Sequence, residues 1–173
     1  MTTTKVKPYI IDYINLKNKP MDYREDADVR INDIQSRGII FKDNDVLVMF
    51  RRKNGEEYYV FPGGHMREGE TPLENAKREI EEETTIKVKD MDMAFEYKNY
   101  VKPNKTKIEY YFVGQWESGE PILSGEESRR ANENDYFKPM WIPLEELSSL
   151  TLYPTMAKEW IEYDIKRFFE KRA

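Results

Sequence analysis

Apolar and polar positions alternate in short blocks over much of this chain. Arg37-Gly38-Ile39-Ile40-Phe41 and Val46-Leu47-Val48-Met49-Phe50 flank the polar turn Lys42-Asp43-Asn44-Asp45, which predicts the paired strands of a hairpin. An Asn54-Gly55 turn then leads to a strand at Tyr58-Tyr59-Val60-Phe61 that stops at Pro62. Thr71-Pro72-Leu73-Glu74 has the pattern of a helix start, with a capping threonine, proline at the first helical position and a glutamate that completes a capping box. Strands follow at residues 93–97 and 108–116 around a Pro103-Asn104-Lys105 turn, then a long polar loop over 117–135 and a strand near Met140-Trp141-Ile142. Residues 154–171 have helical spacing, with Met156, Trp160, Tyr163, and Ile165 or Phe168 expected to face inward. The order predicts an α/β fold in which a mixed sheet packs between helices. Residues 1–35, where strand and helix readings stay open, are expected to form an N-terminal extension packed on a domain spanning 36–173.

Composition narrows the chemistry. With 173 residues, 39% of them hydrophobic and 35% charged, the chain can bury a core as one soluble domain. No apolar run reaches the roughly 18 residues of a membrane span and no signal-peptide core follows Met1, so a cytoplasmic protein without membrane association is expected. The absence of cysteine excludes thiolate nucleophiles, zinc–thiolate sites and disulfides. A net charge of −5 without a long basic run argues against long nucleic acid as a partner. A phosphorylated small molecule stays open, because metal ions can offset local repulsion.

The densest chemistry lies in Gly63-Gly64-His65-Met66-Arg67-Glu68-Gly69-Glu70 and, after the helix start, Arg78-Glu79-Ile80-Glu81-Glu82-Glu83. At about 100° per residue, Glu83 falls roughly 40° to one side of Glu79 and Glu82 roughly 60° to the other. The three carboxylates share a face, while Leu73, Ala76 and Ile80 form the adjacent packing flank. Like charges one turn apart cost a few tenths of a kcal/mol per pair, and hard divalent cations such as Mg2+ or Mn2+ offset that cost while bridging to phosphates. Arg78 can pair with Glu82 across one turn. Taken alone the acidic run also reads as a solvated helix face. The Gly63-Gly64 turn sets it apart, because a glycine backbone can approach a metal or a phosphate closely.

These residues resemble the Nudix box: a glycine, five residues, a glutamate, seven residues, then Arg-Glu, an aliphatic residue, any residue, Glu-Glu, any residue, Gly and an aliphatic residue. Gly64, Glu70, Arg78, Glu79, Ile80, Glu82, Glu83 and Ile86 fall in register. The resemblance implies a Nudix-type α/β/α sandwich with a mixed β-sheet. It also implies a metal-dependent hydrolase that cleaves the pyrophosphate linkage of a nucleoside diphosphate derivative (a nucleotide, nucleotide sugar or ADP-ribose-like molecule). Under it Glu79, Glu82 and Glu83, with the Gly63 carbonyl, would bind Mg2+ or Mn2+, and Arg78 would orient the glutamates. Two positions depart: Thr85 stands where the box ends in glycine, so a differently ended last turn is expected, and Arg67 stands where many members carry glutamate.

Outside the box, Glu127 is a candidate further acidic group, with a solvated loop charge as the alternative. Arg37, Arg51 and Arg52 are candidate phosphate or base contacts, with surface placement as the alternative. Tyr59 and Phe61 are candidate stacking residues, with core packing expected for one of them. His65, the one histidine, occupies a variable box position and is not taken as a base. A fold-retaining sensor that binds without turnover, and a homodimer formed through the N-terminal segment, complete the expectations.

Overall fold

The computed structural model describes residues 33–102 and 105–170. The expected N-terminal extension and the Pro103-Asn104 turn lie almost wholly outside the described residues. The chain runs β1 (Ile34–Lys42), β2 (Asp45–Lys53), β3 (Glu56–Val60), β4 (Gly63–His65), α1 (Pro72–Thr84), β5 (Lys87–Lys102), β6 (Lys105–Ser118), α2 (Gly125–Arg130), β7 (Asp135–Pro143), a 3-10 helix (Leu144–Ser149), β8 (Leu152–Tyr153) and α3 (Thr155–Glu170). The sheet order is β5-β6-β1-β2-β3-β8, with β4 on β1 and β7 on β2. It is mixed, since β1 runs parallel to β6 and β3 to β8 while the other pairs are antiparallel.

One irregularity of this sheet makes room for the site. β1 and β2 pair only next to their turn, at Phe41 with Val46 and Lys42 with Asp45. Beyond it they separate. β1 then takes β4 as its partner through Gln35, Ser36 and Arg37, and Gly38 donates to the Pro62 carbonyl at 3.0 Å. The glycine loop is thereby wedged into the split sheet and held by backbone bonds.

Alternation along the strands builds two cores. Ile39, Phe41, Val46, Val48 and Tyr111 face the one that receives Ala157, Trp160 and Ile161 of α3. Ile34, Ile40, Leu47 and Phe112 face the other, where Ala76 and Ile80 of α1 are fully buried. Burial on both faces explains the nearly unbroken apolar runs of β1 and β2.

Local signals and structure agree at the start of α1: the Thr71 hydroxyl accepts from the Glu74 amide at 3.2 Å and the Glu74 carboxylate accepts from the Thr71 amide at 2.8 Å. Three expectations need correction. The segment 117–135 is not all loop, because α2 forms within it. Tyr163 is 68% exposed and does not face inward. The buried stripe of α3 centres on Ala157 and Ile161, and Tyr163 lies roughly 200° around the helix from Ile161. The expected inward Met156, Ile165 and Phe168 lie outside the described side chains. Finally, α1 does not end differently for lack of its glycine. Thr85 itself adopts the left-handed conformation, φ 61° and ψ 7°, and its amide donates to the Glu81 carbonyl.

Candidate active site

The site forms where α1 lies against the glycine loop. Gly63 has φ 150°, and a Cβ there would sit 2.1 Å from the Ser36 carbonyl oxygen, so no side chain fits. This close approach points the Gly63 amide at the helix, where it donates to Glu83 Oε2 at 3.1 Å. Gly64 meets the next carboxylate: a Cβ on it would lie 2.7 Å from Glu79 Cδ.

Arg78 ties the helix, the loop and three carboxylates together. Its Nε and Nη2 grip both oxygens of Glu70. Its Nη1 reaches Glu79 Oε1 at 2.8 Å and Glu82 Oε2 at 3.0 Å, and its Nη2 also donates to the His65 carbonyl at 3.1 Å. Asn75, fully buried, donates to that same carbonyl. The loop is therefore anchored through the His65 backbone. Donation to Glu70, ahead of that to Glu79, raises Arg78 above its ordinary pKa, and Arg78 in turn draws Glu70 below the usual carboxylate value.

The carboxylates differ in burial. Glu83 is 6% exposed, and burial, reinforced by the Glu127 charge, pushes its pKa up to about 8 against the pull of the Gly63 amide. Glu79 is raised by burial as well, opposed by Arg78 and assisted by Glu82 and Glu127. Glu82 is the most open of the three, its side chain 43% exposed, and Arg67 from the loop places a guanidinium on its two oxygens at 3.3 and 3.2 Å.

Glu127 enters this field from α2, and the reason lies at the C-terminus of α1. A helix end leaves carbonyls without intrahelical partners. Here the irregular segment before α2 supplies partners: Ile122 donates its amide to the Thr84 carbonyl, and Ser124 donates its amide to the Glu83 carbonyl and its hydroxyl to the Glu82 carbonyl. A Cβ on Gly125 would lie 2.8 Å from the Glu82 carbonyl oxygen, so α2 starts in direct contact with α1. That docking carries Glu127 toward Glu79 and Glu83.

The remaining candidates are distributed unevenly. Arg37 lies under the loop, donating to the Phe61 carbonyl at 2.9 Å, Gln35 Oε1 at 2.9 Å and Glu109 Oε1 at 3.5 Å. Burial works against its charge, yet Tyr111, Glu109 and Glu83 hold its pKa above the ordinary value. Its guanidinium braces the backbone that enters the loop. Arg51 stacks on Phe137 with 4.3 Å to the ring centre and donates to Asp135 at 3.1 Å; its buried Nε has no protein partner. Arg52 is exposed and lies over Tyr136. Tyr59 is partly buried against Phe50. Of this pair Phe61 is the one that packs in the core: with no exposed surface and an edge-on contact to Tyr111 it presents no face to a base, which corrects its candidacy as a substrate contact.

Several contributors had no place among the sequence-derived site residues. Glu70 was legible in the box spacing. Glu109, Asp135 and Ser124 were not, since each acts through a partner more than 40 positions away.

Among the described residues no three His, Asp or Glu side chains are gathered into a metal-binding cluster. The donor set still suits a hard divalent cation. Glu79, Glu82, Glu83 and Glu127 are hard oxygen donors, and beyond burial the charges of Glu82 and Glu127 raise Glu79 while those of Glu127 and Glu79 raise Glu83, an excess of carboxylate charge that a divalent cation would offset. No helix among the described residues is long and apolar enough to cross a membrane.

Known proteins share this fold. The family model of the NUDIX domain matches residues 34–163. The RNA pyrophosphohydrolase of Psychromonas ingrahamii is 27% identical over 92 residues, 53% of this chain and 49% of that protein, so the match spans about half the relative's length. Among solved structures, a NUDIX hydrolase from Nitrosomonas europaea superposes with a TM-score of 0.58 at 18% identity, covering 75% of this chain and 85% of the other. A MutT protein from Bacillus halodurans gives 0.56 at 23% identity, covering 74% and 78%. With the box in register, the glycine loop wedged against the carboxylate helix and a family match over three-quarters of its length, this chain belongs to the NUDIX domain family.

Proposed function

We propose that this protein is a divalent-metal-dependent pyrophosphohydrolase acting on a nucleoside diphosphate derivative. The observation that carries the reading is that Glu79, Glu82 and Glu83 of α1 are all tied, by Arg78 or by the Gly63 amide, against the glycine loop. The pyrophosphohydrolase name of the Psychromonas relative supports the type of bond.

Glu79, Glu82 and Glu83, with the Gly63 carbonyl, would hold Mg2+ or Mn2+. Bound there, the metal supplies Lewis acidity toward the diphosphate and a water of lowered pKa. The chain's own residues do the positioning. Arg78 fixes Glu79 and Glu82 in register and is itself immobilised by Glu70. Glu127 adds negative charge that strengthens cation binding. Arg51, with its unpartnered Nε on an aromatic platform, is the strongest of the candidate arginines for a substrate contact. Arg37 acts through the loop backbone.

The test is phosphate release, coupled to a phosphatase, from a panel of nucleoside diphosphate derivatives with Mg2+ or Mn2+. Turnover that disappears in Glu82→Gln and Glu83→Gln variants supports the hydrolase. Tight nucleotide binding without turnover across the panel would instead establish the sensor.

A further inference from the structure

The position of Arg67 is not that of an idle surface charge. The loop folds back on the helix at this point: the Arg67 amide donates to Glu70 Oε2 at 2.9 Å, and Gly69 has φ 83°. This turn lays the guanidinium against both oxygens of Glu82 in a two-pronged contact. Glu82 Oε2 also receives Arg78. Every oxygen of this carboxylate therefore already has a cationic donor.

The two arginines are not equivalent. Arg78 is 17% exposed and is committed to Glu70, Glu79 and the His65 carbonyl, so moving it would dismantle the loop. Arg67 is 61% exposed, and among the described residues its guanidinium has Glu82 as its partner. It can swing away into water at small cost, because exposed ion pairs contribute little to stability. Among the described residues Glu79 and Glu83 have no such mobile cation bonded to them; they are held by Arg78 and by the Gly63 amide.

We propose that Arg67 is a built-in counter-ion that occupies Glu82 in competition with the divalent metal, so that metal entry requires its release and this chain binds metal more weakly than its carboxylates alone would. The inference rests on the metal-dependent reading above and adds a positioning residue to it. An exposed pair of this geometry is worth a factor of about two to five in affinity.

The test reads metal binding without turnover: Mn2+ titrated into the substrate-free protein, with free Mn2+ followed by electron paramagnetic resonance. Arg67→Gln is expected to bind Mn2+ about two- to fivefold more tightly than the wild type. Lys77→Gln removes an equal charge from an exposed position of α1 and is expected to have a smaller effect. Unchanged or weaker binding in Arg67→Gln would overturn the proposal, and so would equal tightening in Lys77→Gln, which would reduce the effect to net charge. Absence of Mn2+ binding in both the folded wild type and Arg67→Gln would instead overturn the metal-dependent reading itself.

Discussion

Replacing Thr85 separates two energies that the structure superimposes at the end of α1. A non-glycine residue in the left-handed region costs about 1–2 kcal/mol, and a β-branched one gains no relief. Against this, the Thr85 hydroxyl donates to the Glu120 carbonyl at 2.7 Å, a bond contributing about 0.5–1.5 kcal/mol. Thr85→Ala and Thr85→Gly both lose that bond, so their difference isolates the backbone. Glycine removes the strain but returns roughly 0.5–1 kcal/mol through its greater freedom when unfolded. The glycine variant is therefore expected to be more stable than the alanine variant by roughly 0.5–1 kcal/mol. Urea unfolding with matched m-values measures this, and it corresponds to about 1–4 °C in Tm for a chain of this size. An alanine variant as stable as glycine would refute the reasoning, because the strain at φ 61° would then be no larger than the roughly 0.5–1 kcal/mol that glycine's freedom returns.

The other predictions concern the site. Arg78→Ala leaves Glu70, Glu79 and Glu82 without their shared donor and should lower kcat/KM about 10- to 100-fold, with Arg78→Lys failing to restore it because an ammonium cannot fork between three carboxylates. Gly64→Ala should keep the fold and lower activity, since the atoms nearest its Cβ are those of the Glu79 carboxylate, whereas Gly63→Ala meets the Ser36 and Arg37 backbone and should destabilise by more than about 3 kcal/mol in urea unfolding. In EDTA, the raised pKa of Glu83 makes the folded state hold a proton that the unfolded chain gives up near 4.5. Its stabilising contribution is complete below about 4.5 and is lost as pH climbs toward about 8, by an amount of at most on the order of 5 kcal/mol. Urea midpoints at pH 5 and pH 8 should converge in Glu83→Gln; an undiminished pH slope in that variant would contradict the assignment.

The chain's local order carried the parts of this protein that depend on near neighbours. Two strands around Lys42-Asp43-Asn44-Asp45 follow from apolar runs on either side of a polar turn, and the start of α1 follows from a capping box four residues long. The shared face of Glu79, Glu82 and Glu83 follows from the pitch of a helix, and Arg78 reaches Glu82 because they stand one turn apart. Helical and strand periods are properties of the backbone, so they can be read without knowing the fold.

Tertiary structure decided what those residues meet. Glu127 becomes part of the carboxylate field only because Ile122 and Ser124 satisfy the free carbonyls at the end of α1 and bring α2 with them. Arg37 turns from a candidate contact into a brace because β1 leaves β2 and closes on the glycine loop, and Phe61 goes into the core for the same reason. Arg67 reaches Glu82 across 15 positions because the loop folds back at Gly69. Such contacts join residues far apart in the chain, and their free energy comes from burial and hydrogen-bond satisfaction after the sheet has formed, which no local period encodes.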